Sequence, residues 1–386
     1  PGRAGRRSGE SLTVLVGRSK AMDQYVVQNP DYFFSQSPEE ARIDANNPYI
    51  LLDHLKCAAF ELPFEVGEHY GEMTVVDTET ALNHLASHGV LHRAGDRYHW
   101  MDRSYPANHV SLRRVEAENF TVIDKDPGHG RDALVIAEVD FKSAHTTLYE
   151  HAIYNLDGVQ YQVEELDYDD RKAFVRQVHS DYFTYAHTKS KVQVLTNDHS
   201  SLLSCTGEVL VTEKVVGFKK VKFHTHENVG YGEVHLPEVQ MHTSAVWIPV
   251  PTPVMESFVG GRDKLVDALR GIGHALHTIA CLRMMCSHGD LGLTIDDPED
   301  TGPRLYLYDN IPGGIGFAGR LHSLCGPLLA GARQLIQQCA CESGCPSCVG
   351  AAKDPDTQSR TLAVQLINDL LNPPTPKLHL VPASPA

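Results

Sequence analysis

Cys339-Ala-Cys341-Glu-Ser-Gly-Cys345-Pro-Ser-Cys348 holds four cysteines in ten residues. Four thiolates at this C-x-C-x3-C-x2-C spacing can converge on one tetrahedral Zn2+, at about 2.3 Å per bond. Gly344 and Pro346 let the backbone turn tightly around an ion. Four protein ligands leave no open position for water, so the ion's role is structural. Two other readings of the same residues stay open: a redox C-x-x-C at Cys345 and Cys348, and an iron–sulfur cluster. The other cysteines, Cys57, Cys205, Cys281, Cys286 and Cys325, are scattered and read as small buried hydrophobes.

Outward from this cluster, the composition is globular, with 42% hydrophobic and 22% charged residues. A chain of 386 residues allows roughly two to four domains. The net charge of −15 argues against binding nucleic acid over the whole surface, because phosphate contact needs local positive potential. It leaves room for a basic strip on an acidic body. No apolar run approaches the ~18–20 residues that span a bilayer. The basic start, residues 1–7, is followed by no signal-peptide core. Nine cysteines in a chain this long are no secreted disulfide framework; the cluster points to a reducing compartment.

Ser11-Leu-Thr-Val-Leu-Val16 reads as a buried strand, and residues 22–34 as a helix that Pro30 ends at about Asn29, followed by an aromatic turn. Residues 49–60 have helical spacing. A second helix follows at 77–89, with Thr78 as cap and Gly89 as stop. Residues 90–100 form a hairpin around Ala94-Gly95-Asp96. Helices followed by a short hairpin outline a winged helix. From 111 to 251 short alternating runs recur, among them Val135-Ile-Ala-Glu-Val139, Glu208-Val-Leu-Val-Thr212 and Lys219-Lys-Val-Lys-Phe223, which argues for a barrel or sandwich. Residues 261–285 carry an amphipathic stripe; 305–308 is a strand; 317–338 is a helix broken near Gly326-Pro327; 359–371 is a final helix.

Ile311-Pro-Gly-Gly-Ile-Gly316 lacks the Lys-Ser/Thr of a phosphate loop and reads as a strand-to-helix turn, with Asp309 as a cap. His288 and Asp290, in Cys286-Ser-His-Gly-Asp290, read as a local hydrogen bond. Gly2-Arg-Ala-Gly-Arg-Arg7 has two readings: by composition alone it is a solvated basic tail, while Arg3 and Arg6, freed by glycines, can project two guanidinium groups at one anion, as in phosphoryl transfer.

That opening resembles the end of motif VI of superfamily 2 helicases, Q-x-x-G-R-x-G-R. The resemblance makes Arg3 and Arg6 an arginine-finger pair reaching the ATP site from the second RecA-like lobe. Tyr308-Asp-Asn-Ile-Pro-Gly-Gly-Ile-Gly316 followed by the four cysteines resembles the C-terminal zinc-binding (DUF1998) domain of the mitomycin repair factor A (MrfA) family. Residues 46–63 resemble the segment after motif VI in that family, and so does the domain order. The implied fold is α+β multidomain. It comprises the end of a RecA-like lobe at 1–47, a winged helix at 48–105 and a β-rich barrel or sandwich domain at 106–253. A helical zinc-binding domain at 254–372 and a flexible tail at 373–386 complete it. Walker A, the DEAH-type box and the first RecA lobe are not in the sequence, and it starts after the Gln of motif VI. The resemblance therefore implies the C-terminal half of an ATP-dependent 3′–5′ DNA helicase of damage repair, unable to hydrolyse ATP alone.

It implies structural Zn2+ on Cys339, Cys341, Cys345 and Cys348, with ATP and Mg2+ only in the full-length enzyme. The expected partners are single-stranded or forked DNA and the upstream helicase lobes of the same protein. A monomer, no membrane, and a cytoplasmic, nucleoid-associated bacterial setting are expected. Candidate phosphate contacts are Arg93 and Arg97 on the wing and Lys219, Lys220 and Lys222 on a strand, with Tyr98 or Trp100 able to stack on bases, although Trp100 suits core packing better. The competing reading is a zinc-stabilised protein-interaction module without DNA contact; a third is a thiol oxidoreductase.

Overall fold

The computed structural model describes residues 10–37, 44, 46–110, 119–126, 133–350 and 358–373. The helix Pro48–Glu61 starts where its sequence provides a cap. The side-chain oxygen of Asn47 accepts the amides of Tyr49 and Ile50 at 3.0 and 3.3 Å, and Pro48 takes a first position that needs no N–H. The next helix, Val75–Ser87, is capped by Thr74, which accepts the Asp77 amide at 3.1 Å. The expected cap, Thr78, lies inside the helix and is buried, because the helix begins one turn earlier than its apolar stripe suggests. Strands Leu91–Ala94 and Arg97–Trp100 form the expected hairpin, and Phe64–Glu65 joins as a third strand. Leu55, Leu82, Leu85, Leu91 and Tyr98 close a small core between helices and hairpin.

The β region contains two sheets. One has five strands in the order Leu134–Asp140, Asn119–Asp124, Lys172–Val178, Val159–Asp167, Ile153–Leu156, with a single parallel pair, Asn119–Asp124 on Lys172–Val178. The other has seven and is built on Cys205–Lys222, a strand of 18 residues. The expected short runs at 208–212 and 219–223 lie along this one strand, except that Phe223 falls in the turn after it. The residues between them keep their partners on Tyr182–Val194 through a bulge between Val215 and Gly217 instead of turning. Its first half also pairs with Val239–Pro249, which pairs with Arg304–Asp309 and that in turn with Leu291–Asp296. The seven-stranded sheet therefore runs across residue 253, where the sequence suggested a boundary.

Behind this sheet lies Gly261–Met284, 24 residues long and buried along most of its length among Cys325–Gln338, Ser359–Leu371 and the sheet. The helical stretch 317–338 does break, but at Leu324. Pro327 sits in the first turn of Cys325–Gln338, where its missing N–H has no carbonyl to meet. Residues 11–16 form no strand. Leu12 is 88% and Val16 82% exposed, and among the described residues nothing pairs with them; a strand without a ladder has no hydrogen bonds to hold it. Helix Ala21–Gln28 does end at Asn29, before Pro30.

Two buried polar groups tie the winged helix to the rest. Asn47, 0% exposed, donates from its Nδ2 to the carbonyls of Pro312 and Gly314 at 2.8 and 2.9 Å, while its oxygen caps its own helix. From the other side Asp309 Oδ2 accepts the amides of Ile315 and Phe317 at 2.7 and 3.1 Å, the cap expected of it. Burial pushes the Asp309 carboxyl above the usual carboxylate range against the pull of these amides. Gly313 has φ +77°, and a Cβ there would meet Asn47 Nδ2 at 2.6 Å. The glycine is needed both for its backbone conformation and for space.

Asn47→Ala removes a cap worth about 1 kcal/mol and leaves two buried carbonyls unpaired, at about 1 kcal/mol or more each. A loss of about 2–4 kcal/mol in urea unfolding is expected; a change under about 0.5 kcal/mol would show that the tie contributes nothing.

Candidate functional site

The four clustered cysteines come together. Their Sγ atoms all lie within 4.8 Å of one another, with Cys339–Cys345 and Cys341–Cys348 at 3.5 Å and Cys345–Cys348 at 3.7 Å. A tetrahedron with about 2.3 Å bonds has edges of about 3.8 Å, so the thiols already stand nearly where one Zn2+ would hold them. A cluster of several irons needs more room between its sulfurs than this. A two-thiol redox centre has no use for the other pair facing it. Burial raises the Cys341 and Cys348 thiols. At Cys345 burial also opposes ionisation but is outweighed by the Ser347 amide and the neighbouring thiols, which lower its pKa, so one of the four is favoured as a thiolate and the others need the ion's own charge.

The loop is held by contacts that its sequence spacing does not reveal. Gly344 has φ +137°, and a Cβ there would strike Val349 at 2.6 Å, so only glycine makes this turn. Arg360, on the last helix, donates to the Cys341 carbonyl and to the carbonyls of Ile336 and Gln337 at 3.1 and 2.9 Å. It closes the exposed C-terminal carbonyls of Cys325–Gln338 and fixes the cysteine loop against them. His274 on the long helix bonds the Pro346 carbonyl at 2.8 Å, and Ser347 donates to Ser19 at 2.6 Å. The zinc the cysteines hold is structural: four protein ligands close the site, and every contact around it is a packing or positioning contact.

The candidate nucleic-acid residues do not gather in one place. On the wing, Arg97 is paired with Glu65, and Arg93 lies 3.8 Å from Glu79 and over the Tyr98 ring. Tyr98 is 0% exposed and bonded to Asn83, so it cannot stack on a base; its ring is the core of the winged helix. Trp100 is half-buried against Phe60. On the long strand, alternation puts Lys219 on one face and Lys220 and Lys222 on the other. Lys222 faces Asp181 at 3.9 Å, and Lys220 lies over Tyr182.

Lys219 has neighbours that the sequence reading missed. Across the ladder it pairs directly with Tyr185 on one side and Tyr231 on the other. Both tyrosines are turned to solvent, 64% and 73% exposed, and the Lys219 ammonium stands 6.0 Å from the Tyr231 ring. The same face of Tyr182–Val194 continues through His187, Lys189 and Lys191, all exposed, and Lys214 lies opposite Lys189. Arg3 and Arg6 lie outside the described residues, as do residues 374–386.

Residues 272–349 match the MrfA Zn-binding domain, and residues 43–115 match the winged helix domain of the ATP-dependent helicase HRQ1. The chain is similar to the uncharacterized ATP-dependent helicase YprA of Bacillus subtilis, 44% identical over 356 residues that cover 90% of this chain and 46% of that protein. It is 28% identical to the ATP-dependent helicase HRQ1 of Saccharomyces cerevisiae, over 91% of this chain and 34% of that one. Among solved structures it is similar to the DUF1998 helicase MrfA, with TM-score 0.65, 36% identity, and coverage of 95% of this chain and 50% of MrfA. MrfA bound to DNA gives 0.57 and 41%, covering 96% of this chain and 49% of MrfA. The chain spans about half the length of YprA and MrfA and about a third of HRQ1.

Removing the ion should expose the thiols. In alkylation followed by mass spectrometry, Cys339, Cys341, Cys345 and Cys348 are expected to react only after a strong chelator is added, and Cys345→Ser to expose the other three at once. Arg360→Met, which keeps the aliphatic stem but not the donors, should weaken this ion's affinity about 10–100-fold in a competition titration. An unchanged affinity would show that the carbonyl clamp has no part in the site.

Proposed function

We propose that this chain, which belongs with the MrfA-type DUF1998 helicases, is the DNA-handling part of an ATP-dependent 3′–5′ helicase of DNA damage repair. What carries the reading is the Tyr185–Lys219–Tyr231 row on the exposed face of the long strand, continued by Lys189 and Lys191, with Lys214 beside them paired to Glu238 at 3.4 Å. Two solvent-turned aromatic rings flanking a cation suit a single strand, because bases stack on the rings while phosphates meet the ammonium groups. The row gathers positive charge on a chain of net charge −15, as a local basic strip would. MrfA's solved complexes with DNA, and with DNA and AMPPNP, support the same partner.

In the whole enzyme, Arg3 and Arg6 would sense the γ-phosphate from the second RecA-like lobe, and ATP-driven lobe closure would move the strand past the row. The winged helix would guide the duplex, with Arg93 and Arg97 as its phosphate contacts once they leave Glu79 and Glu65. Lys220 and Lys222 serve on the opposite face of the strand. The enzyme would work as a monomer on single-stranded or forked DNA, in the cytoplasm at the nucleoid. No helix among the described residues is long and apolar enough to cross a membrane.

Fluorescence anisotropy with a labelled single strand tests the reading. Tyr185→Ala and Tyr231→Ala should each weaken binding by about 1–3 kcal/mol. Lys219→Gln should also lower the slope of log affinity on log salt by about 0.7, the share of one phosphate on a single strand. If none of the three changes affinity at low salt, this face is not the strand's path. The zinc-stabilised interaction module without DNA contact would then stand.

A further inference from the structure

At the C-terminal end of the long helix, on the face that also carries His274, a second set of ligand atoms converges. His277 and Cys281 are four residues apart on Gly261–Met284, so both leave the same face of the helix. Past the helix end the chain folds back, with the Cys286 amide on the Cys281 carbonyl at 3.1 Å, and brings His288 over them. His277 Nδ1 and His288 Nδ1 lie 2.9 Å apart with their rings nearly parallel, at 22°. Cys281 Sγ is 3.8 Å from His288 Nδ1, and the ligand atoms of the three residues all lie within 4.8 Å of one another.

The tautomer of His277 follows from its other nitrogen. Nε2 lies 2.9 Å from the carbonyl oxygen of Leu291, which can only accept, so Nε2 carries the proton. Nδ1 is then a bare lone pair, fixed in direction and aimed at His288. Anchoring one imidazole nitrogen on a backbone carbonyl while the other is presented outward is how proteins orient a metal-bound histidine. We propose that His277 Nδ1, Cys281 Sγ and His288 Nδ1 form a second metal site, for a borderline-soft divalent ion such as Zn2+.

Two imidazoles and a thiolate are a zinc donor set and a poor one for magnesium or calcium. Bonds of about 2.0–2.1 Å to nitrogen and 2.3 Å to sulfur put tetrahedral ligand atoms about 3.3–3.6 Å apart. Shifts of a few tenths of an ångström would bring the observed 2.9 and 3.8 Å to that spacing. Cys281 is buried and His288 exposed, so the fourth position faces solvent. The four-cysteine site is closed, while this one is open to a water or an outside ligand. It joins the end of the long helix to the loop and to the first residue of Leu291–Asp296. The site stands independently of the DNA reading.

The full chain, zinc-loaded and then freed of loosely held metal, is measured for metal content and titrated with Co2+. The expected result is two metal ions per chain, with Cys339, Cys341, Cys345 and Cys348 protected from alkylation throughout. His288→Gln, in an exposed loop, should keep one ion and an unchanged circular dichroism spectrum, with affinity at the second site reduced by about 100-fold. Cys281→Ser should abolish the thiolate-to-cobalt charge-transfer band of the second equivalent. The proposal is overturned if the wild-type chain saturates at one ion with the four clustered thiols protected. It is equally overturned if both variants keep the second ion and its spectrum.

Discussion

One buried turn, Ile311 to Gly316, holds the molecule's parts in register. It is gripped from one side by the amide of Asn47 and from the other by the carboxyl of Asp309, and neither side chain reaches solvent. A buried polar group without a partner is costly, so each of these groups fixes the position of the other's support. Asn47 caps the first helix of the winged helix with its oxygen and holds the turn with its nitrogen. The winged helix therefore cannot form its first helix in place without also seating on the sheet. Gly313 makes this possible, because any side chain there would occupy the space of the Asn47 amide.

The same economy runs through the helical side. Gly261–Met284 meets the sheet with one face, Cys325–Gln338 and Ser359–Leu371 with others. His274 on it reaches the cysteine loop, while His277 and Cys281 reach the loop that follows the helix. A metal at the four cysteines thus stiffens a helix that also backs the strands. Arg360 adds a second hold, spending its guanidinium on carbonyls that the end of Cys325–Gln338 leaves unpaired. Structural zinc here braces the layer behind Val239–Pro249 and Arg304–Asp309, strands of the same sheet that carries the outward-facing aromatic–lysine surface.

That surface is carried by Cys205–Lys222, whose two halves belong to two cores. Val209 and Val211 pack with Trp247 and Tyr306, while Val215 and Phe218 pack against the five-stranded sheet. The bulge between Val215 and Gly217 lets one strand serve both. Its second half presents Lys219 between Tyr185 and Tyr231, a row assembled from three strands that lie within residues 182–233 and pair side by side. An acidic chain can hold such a row because charge acts locally: within a Debye length of about 8–10 Å, the neighbouring lysines matter more than the sum.

The sequence by itself determined whatever is local. The cysteine spacing, the proline stop before Asp31, the hairpin at Gly95-Asp96, the stripe of 261–284 and the capping role of Asp309 are each set by residues within a few positions of one another. Their geometry follows from backbone sterics and short-range hydrogen bonds. The tertiary structure alone decided the rest. Residues 11–16 have strand composition, but a strand exists only with a partner. Thr78 looked like a cap until the helix took one more turn at Thr74. Tyr98 could not be told from a stacking residue until the winged helix closed over it. The aromatic–lysine row, the Arg360 clamp and the Asn47 tie depend on which separate segments are brought side by side, and the meeting of His277, Cys281 and His288 on how the chain folds back after the helix. Burial and pairing are properties of the packed whole, which no short window of sequence contains.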